Sequence, residues 1–512
     1  MTVYEIERLK FRRQYVLTSF SVDCPFLYNE YAVNEKLHLY THIDLVVTVK
    51  EEDTRKLILL GDIFDYDNSG FGNQEILNDL IKWDFKNLLT IIARYCGRFV
   101  LICCYNGKIT VVHDAAASRK VYYYIHNGEV CLASQSHLVA KILDLPRTQN
   151  KERLKYYESP DFLRLTGSDI CNYTMYDNLY QLLPNHYLDL SDSNAIRYWP
   201  DQVIEPRPYD EVAAQCAVMI RGYMDSISRR YPVMLPVTAG KDSRILLCST
   251  KPFTSRIYYY LNFEKKLNRG SQDVSIPQKL FPSLNLTHHL VNPYCDIDPD
   301  FKKIYFENDP YASAEYLPII YNYYLNFSNK VNLPGIFINI IEDVFGSSNS
   351  LTGEKLASIL HLDSYEYAVN YYSKWLNECS DACKKSNLNI LNLYYWEERN
   401  ANWATHLQID KDIAQEDIIP YNSRLLIQTM LRADVTTRQK PYFLFHREII
   451  RNLWPEALQQ PFSMPVSRKM LRFTQTLGLM KPAKALYYSF LFQPLRTINY
   501  YRRHRTSSAE TS

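Results

Sequence analysis

Between residues 14 and 145 the apolar positions fall in short runs cut by polar turns, the pattern of β-strands. Residues 45–50 and 56–61 are strand-like, and 65–72 is a polar loop holding two glycines. Over 74–92 the period changes, and apolar side chains recur at helical spacing. Two hairpins follow. In the first, 97–104 and 108–113 flank Asn106-Gly107, a strong short-range hairpin signal. In the second, 120–125 and 130–133 flank Asn127-Gly128. This part of the chain is expected to be β-rich with one or more helices.

From about residue 206 the texture changes. Residues 210–229 carry a long helical pattern, and 233–237 form a short apolar strand. A glycine turn leads at once into a helix over 243–249. A strand over 255–263, a helix over 272–280 and a strand over 285–290 come next. Strands alternating with helices predict a parallel sheet covered by helices. Beyond 350 the pattern is mostly helical, and 500–512 has the composition of a solvated tail.

At 512 residues the chain exceeds one ordinary core, so two domains are expected. With 46% hydrophobic and 22% charged residues it reads as globular. A net charge of +2 gives no argument for a nucleic-acid partner. The basic N-terminus has no apolar core behind it and is unlike a signal peptide. No run approaches the ~18 apolar residues of a membrane span, and the apolar stretch 477–492 is broken by Lys481, Pro482 and Lys484. The 11 cysteines are dispersed without a Cys-x-x-Cys pair, so reduced thiols and a cytoplasmic location are expected.

Glycine is scarce, at 14 residues, which makes Gly240 beside Lys241 and Asp242 informative. A strand ends in Thr238, Ala239 and Gly240, and a helix begins at once with Lys241, Asp242, Ser243 and Arg244. Backbone N–H groups at such a turn point outward, and the helix dipole favours an anion there. Ala239 and Gly240 let a phosphate approach closely, Thr238 and Ser243 offer hydroxyls, and Lys241 and Arg244 add positive charge. Asp242 would repel phosphate unless a divalent cation bridges the two, which suggests Mg²⁺-ATP. Neither GxxxxGK[ST] nor GxGxxG occurs here. An ordinary strand-to-helix turn capped by Asp242 and Ser243 is the alternative.

The segment resembles the SGGxDS pyrophosphate loop of ATP pyrophosphatases, and the rest of the chain resembles asparagine synthetase. Gly61-Asp-Ile-Phe64, Gly97-Arg-Phe-Val100, Asp114-Ala-Ala-Ala-Ser-Arg-Lys-Val-Tyr-Tyr-Tyr124 and Leu132-Ala-Ser-Gln135 are similar to landmarks of that family's glutaminase half. Leu183-Pro-Asn185 and Arg197-Tyr-Trp199 are similar to those preceding its synthetase half. The landmarks keep the family's order over roughly residues 60–460.

The departures are specific. The family's glutaminase cysteine sits at the mature N-terminus, whereas residue 2 here is Thr2 and the first cysteine is Cys24. Thr2 could serve as a nucleophile after loss of Met1, but the first strand begins near Tyr15, leaving Thr2 in an extension. The second synthetase loop is altered, with Ile338 and Ile340 where glycines are expected and Gly335 nearby. Glu342 and Asp343 take the place of its acidic pair, Glu342 being the second Mg²⁺ ligand that the resemblance implies. A plain helix start is the alternative reading of these acids.

The resemblance also implies ATP contacts at Leu261. It implies an acceptor site built from Arg399, Asn402, Glu416 and Arg424, with Glu416 as the base, although a charged helical face would read the same way. Asp273 resembles a family acid or is a plain helix charge. The family's late lysine corresponds to Lys440 or Lys469. His288 and His289 are adjacent and would face opposite ways on a strand.

The expected architecture is α/β and α+β. Residues 1–200 form an αββα glutaminase-like domain that is catalytically degenerate. Residues 205–495 form a parallel-sheet adenine-nucleotide α-hydrolase-like domain with extra C-terminal helices, and 496–512 a basic and polar tail. The expected function is an ATP-dependent amide-forming ligase. It would adenylate a small-molecule or peptide carboxylate with ATP and Mg²⁺ and take ammonia or an amine as acceptor. No nucleic acid or membrane is expected, and a homodimer is compatible with the sequence. A non-catalytic nucleotide-binding or scaffold protein of the same family is the alternative. An ATP pyrophosphatase of nucleic-acid thiolation is disfavoured, since the loop has no persulfide-type cysteine nearby.

Overall fold

The computed structural model describes residues 1–348 and 350–463. Lys469, the stretch 477–492 and the tail 496–512 lie outside the described residues.

The first 200 residues build two six-stranded sheets, antiparallel throughout. Alternation explains how they stack. In Arg55–Phe64, Ile58 and Leu60 face inward with Val100 and Ile102 of Cys96–Tyr105 and meet Tyr15, Leu17 and Leu39 of the other sheet. Leu57, Leu59, Leu101 and Cys103 face outward under the helices Asn73–Leu80 and Phe85–Ile91. On the far side, Val16, Tyr40 and Cys131 pack beneath the helix Ser136–Leu143. The result is four layers, helix–sheet–sheet–helix, because both faces of each sheet are apolar at period two.

Both expected hairpins are present, as Cys96–Tyr105 with Lys108–His113 and as Tyr122–His126 with Glu129–Ala133. The helical spacing over 74–92 is realised as two helices, Asn73–Leu80 and Phe85–Ile91. Asp84 ends the first turn segment and caps the second helix, its carboxylate accepting from Asn87 N at 2.9 Å.

The second half carries a four-stranded parallel sheet in the order His289–Val291, Ile257–Asn262, Val233–Pro236, Val331–Asn332. Val233, Leu235, Ile257 and Tyr259 face the helices Tyr209–Arg230, Lys241–Ser249 and Leu444–Leu453. Met234 and Tyr260 face Pro299–Asn308 and Leu317–Phe327. The strand expected over 285–290 is shorter and later, His289–Val291, because Asn285 turns the chain at φ 56°. The sheet runs outward from Val233–Pro236 in one direction and then returns to its other side with Val331–Asn332. The crevice at the carboxyl ends of those two strands is therefore a topological switch point, the usual ligand position in open parallel sheets.

The cores of the two halves are not separate. Phe64, Cys96 and Ala116 belong to the same apolar cluster as Ile220, Tyr223 and Trp396. Gly222 lies inside the helix Tyr209–Arg230 because a Cβ there would stand 2.1 Å from Tyr66 O. No helix among the described residues is long and apolar enough to cross a membrane.

Candidate functional site

The loop 238–244 sits at the switch point. Val233–Pro236 ends and Gly240 caps the helix Lys241–Ser249. Gly335, just past Val331–Asn332, packs against it so closely that a Cβ would lie 3.0 Å from Ser243 N. The two loops that the sequence linked only by resemblance are thus in contact.

Their acids converge. Lys241 Nζ lies 2.9 Å from Asp242 Oδ1 and 2.7 Å from Glu342 Oε1, while His446 Nε2 is 3.2 Å from the same Glu342 oxygen. Phe443 closes the site, its ring 4.8 Å from Lys241 Nζ and edge-on to His446. Burial pushes Glu342 up, but Lys241 and His446 outweigh it and hold the carboxyl down at about 2. Asp242 goes the other way. Burial and the neighbouring Glu342 charge raise it against the pull of Lys241. Burial pushes Lys241 down, and the two acids more than restore it.

The donor set can be tested against a divalent cation. Ligand atoms of Asp242, Glu342 and His446 lie within 4.8 Å of one another. Asp242 Oδ1 and Glu342 Oε1 are buried and make no aligned hydrogen bond despite the nearby ammonium. These residues fit an ion once the flexible lysine stem swings aside. Two carboxylates suit Mg²⁺, and the imidazole extends the range toward Mn²⁺ or Zn²⁺.

The side of the loop expected to receive phosphate is closed on itself. Thr238 N donates to Ser243 Oγ (3.1 Å), Gly240 N to Thr238 Oγ1 (3.1 Å) and Ala239 N to Asp273 Oδ1 (3.1 Å). Asp273 thus places a carboxylate where an anion would be received. Ser463 N donates to Ala239 O at 2.9 Å, so residues 461–463 lie against the loop. Ile338 and Ile340 are fully buried and fill the position expected of open glycine backbone.

Several expected site residues lie elsewhere. Arg244 does not reach toward phosphate. It is buried, donates to Gln460 O (2.5 Å) and Pro461 O (2.9 Å), and stacks on Phe462. Leu261 is buried within its strand, paired with Leu290. Lys440 is exposed and makes no ion pair among the described residues. Thr2 caps the helix Val3–Leu9, its hydroxyl bonded to Glu5. His288 and His289 do face opposite ways, stacked on Phe281 and Tyr258 respectively.

The expected acceptor residues mostly serve the junction between the halves. Glu416 pairs with Arg119 and lies 3.8 Å from Arg13 and 3.9 Å from Arg98. Burial raises its carboxyl, but Arg119, Arg98 and Arg13 hold it below the ordinary range, which makes it a poor base. Arg424 donates to Asn185 Oδ1 at 3.0 Å and stacks on Tyr198. Asn402 donates to Glu398 at 3.0 Å and to Cys171 O at 3.3 Å. Arg399 differs. It stacks on Trp403 at 3.8 Å, its Nη1 is buried without a hydrogen bond, and it neighbours Tyr395. Arg399, Asn402 and Trp403 all lie in a π-helical stretch, Tyr395–Ala404, a geometry that often marks functional positions.

The depressed Glu416 carboxyl has a pH consequence. Its folded value is below its ordinary 4.5, so its stabilisation is present above about pH 4.5 and is lost as pH falls through the folded value. Glu416→Gln should therefore flatten the stability loss below pH 4.5, read by urea unfolding across an acid series. An unchanged slope would contradict the pairing.

Sequence reasoning missed His446 and the ammonium bridge. His446 sits on a helix opening after Phe443, 104 positions beyond Glu342, and no spacing signal joins them. Tyr421 also reaches the loop, its hydroxyl donating to Asp242 O at 2.7 Å.

No protein-family profile matches the sequence, and no curated protein matches it. Among solved structures, glutamine phosphoribosylpyrophosphate amidotransferase from B. subtilis, complexed with ADP and GMP, is 8% identical. That match covers 59% of this chain and 66% of that chain, with a TM-score of 0.23. A structure described as the allosteric regulatory enzyme of purine biosynthesis is 12% identical over 53% of this chain and 65% of that chain, with a TM-score of 0.22. The chain spans just under two thirds of each of these structures, and likeness at this level does not define a family.

Proposed function

We propose that this protein is an asparagine synthetase-like ATP-dependent ligase that adenylates a carboxylate and passes it to ammonia or an amine. In this reading residues 1–200 are an Ntn-hydrolase-like glutaminase domain without its catalytic cysteine, and 205–495 the nucleotide domain. The observation that carries it is the convergence of Asp242 and Glu342, from separate loops, at the carboxyl-end switch point of the parallel sheet. Asp242 and Glu342 would hold Mg²⁺, with His446 beside them. The ion would supply charge stabilisation at the phosphates. Thr238, Gly240 and Ser243 would receive pyrophosphate oxygens once Asp273 yields Ala239 N. Lys241, freed from the acids, would meet phosphate charge. Arg399, with an unpaired guanidinium nitrogen, is the residue best placed to hold a carboxylate substrate. Glu416 and Arg424 have no part in this scheme.

The test is pyrophosphate release from ATP across a panel of carboxylic acids, with ammonium or simple amines supplied. Release that depends on one acid class supports the ligase. Silence across a broad panel, with no ATP binding, sinks it.

A second reading has its own support. Lys241 and Asp273 are a cation and an anion already seated where metal and phosphate would go, which suits a non-catalytic scaffold. Lys241→Met separates the two. Removing the ammonium leaves two buried acids with only His446 beside them, at a cost of about 3–5 kcal/mol. If the site accepts metal, Mg²⁺ or Mn²⁺ should restore much of that loss in thermal melts. If it is a metal-free scaffold, the variant should stay destabilised at any metal concentration.

A further inference from the structure

A second cluster of carboxylates and imidazole lies apart from the nucleotide loop, where the first 200 residues meet the rest. Asp309 follows the helix Pro299–Asn308, and His406 and Asp410 stand one turn apart on His406–Lys411. Their ligand atoms all lie within 4.8 Å of one another. Asp309 Oδ2 is 3.0 Å from His406 Nε2, and Asp309 Oδ1 accepts from Tyr311 N at 2.8 Å. Asp410 Oδ2 accepts from Ser313 N at 3.3 Å, while its Oδ1 has no hydrogen bond. His406 Nε2 is also without an aligned hydrogen bond. Among the described residues no lysine or arginine forms an ion pair with either carboxylate. Carboxylates buried this way are ordinarily paired with cations or bound to a metal.

An independent feature points at the same place. Gln135, from the first half, is 4% exposed, and its Oε1 has no hydrogen-bond partner. It lines, together with Asp309 and Asp410 but not His406, a small, partly open cavity of about 10 Å³. That is room for about one water or one ion. Gly167, also from the first half, closes the histidine side, since a Cβ there would lie 3.6 Å from His406 Nε2.

We propose that Asp309, His406 and Asp410 bind one divalent transition-metal ion of the zinc type, with Gln135 Oε1 or a water completing its shell. One imidazole among oxygen donors suits Zn²⁺, Mn²⁺ or Co²⁺ better than Mg²⁺ or Ca²⁺. Asp309 and Asp410 are buried, so the role of the ion is structural. The ligands from the second half and Gln135 from the first make the ion a tie between them. This inference does not depend on the proposed nucleotide chemistry.

Co²⁺ is the probe, titrated into the full chain carrying Glu342→Gln to disable the other metal-competent cluster. Visible ligand-field absorption reports occupancy. The expected result is about one Co²⁺ per chain, a melting temperature raised by Co²⁺ and lowered by chelator, and binding at least about tenfold weaker in Asp410→Asn or His406→Gln. Equal affinity in those variants overturns the site, as does an absence of Co²⁺ binding. Should both variants fail to fold, the Glu342→Gln chain alone decides. Stoichiometric Co²⁺ with chelator-sensitive melting upholds the proposal, and its absence overturns it.

Discussion

Asp242→Asn is expected to lower acid-dependent pyrophosphate release by at least about a hundredfold, the scale seen when one group stabilising transition-state charge is removed. The amide keeps the shape of the side chain and leaves the Tyr421 bond to the Asp242 carbonyl intact. What it removes is the charge that, with Glu342, would hold the divalent ion. Lys241 would then pair with Glu342 alone and have less reason to leave it. The loss should appear in kcat at saturating ATP, with unchanged circular dichroism and a melting temperature near that of the parent. Full activity in this variant would remove the loop from the reaction altogether.

The largest stability effect is expected at the junction. Arg98 is 1% exposed and Asp412 is buried with it, and the guanidinium meets the carboxylate in two bonds of 2.5 and 2.8 Å. Burial pushes Arg98 down, but Asp412 and Glu416 more than restore its charge. Arg98→Met leaves Asp412 with the Gln14 amide at 3.0 Å as its main remaining partner, and strips Glu416 of one neighbouring cation. Breaking one side of a buried pair costs about 3–5 kcal/mol, because the remaining charge is not compensated. Urea unfolding should register that loss. Arg98→Met combined with Asp412→Leu should cost less than the sum of the two single changes, since the orphaned charge is then gone. A single-variant loss under about 1 kcal/mol would mean that water reaches the pair.

How far the sequence could be read follows the range of the physics. The Asn-Gly hairpins and the strand–turn–helix at Gly240 are set by near neighbours, and they stand where the pattern placed them. The helical spacing over 74–92 did not show where one helix ends and the next begins, because apolar spacing continues across Asp84 while the cap between them depends on one carboxylate. For Glu416 and Arg424 the sequence left two roles open, for a different reason. An acid held for a substrate and an acid held by an arginine 297 positions away look the same in sequence. His446 carried no signal, since a buried histidine on an amphipathic helix is ordinary until Glu342 is seen beside it. Lys241 stands at the variable position of the motif, and only the structure places its ammonium between the acids.

The segment 412–424 has one more consequence. Its polar groups are completed from the first 200 residues: Asn422 donates to Gly97 O and Asp114, and Ala116 N donates back to Asn422. The same segment supplies Tyr421 to the loop 238–244. The first 200 residues therefore complete the polar groups of the rest of the chain, whatever chemistry they do or do not carry. Recombination that swapped them for an unrelated module would orphan buried donors and acceptors in the second half. The two halves are bound to be inherited, and to diverge, as one unit.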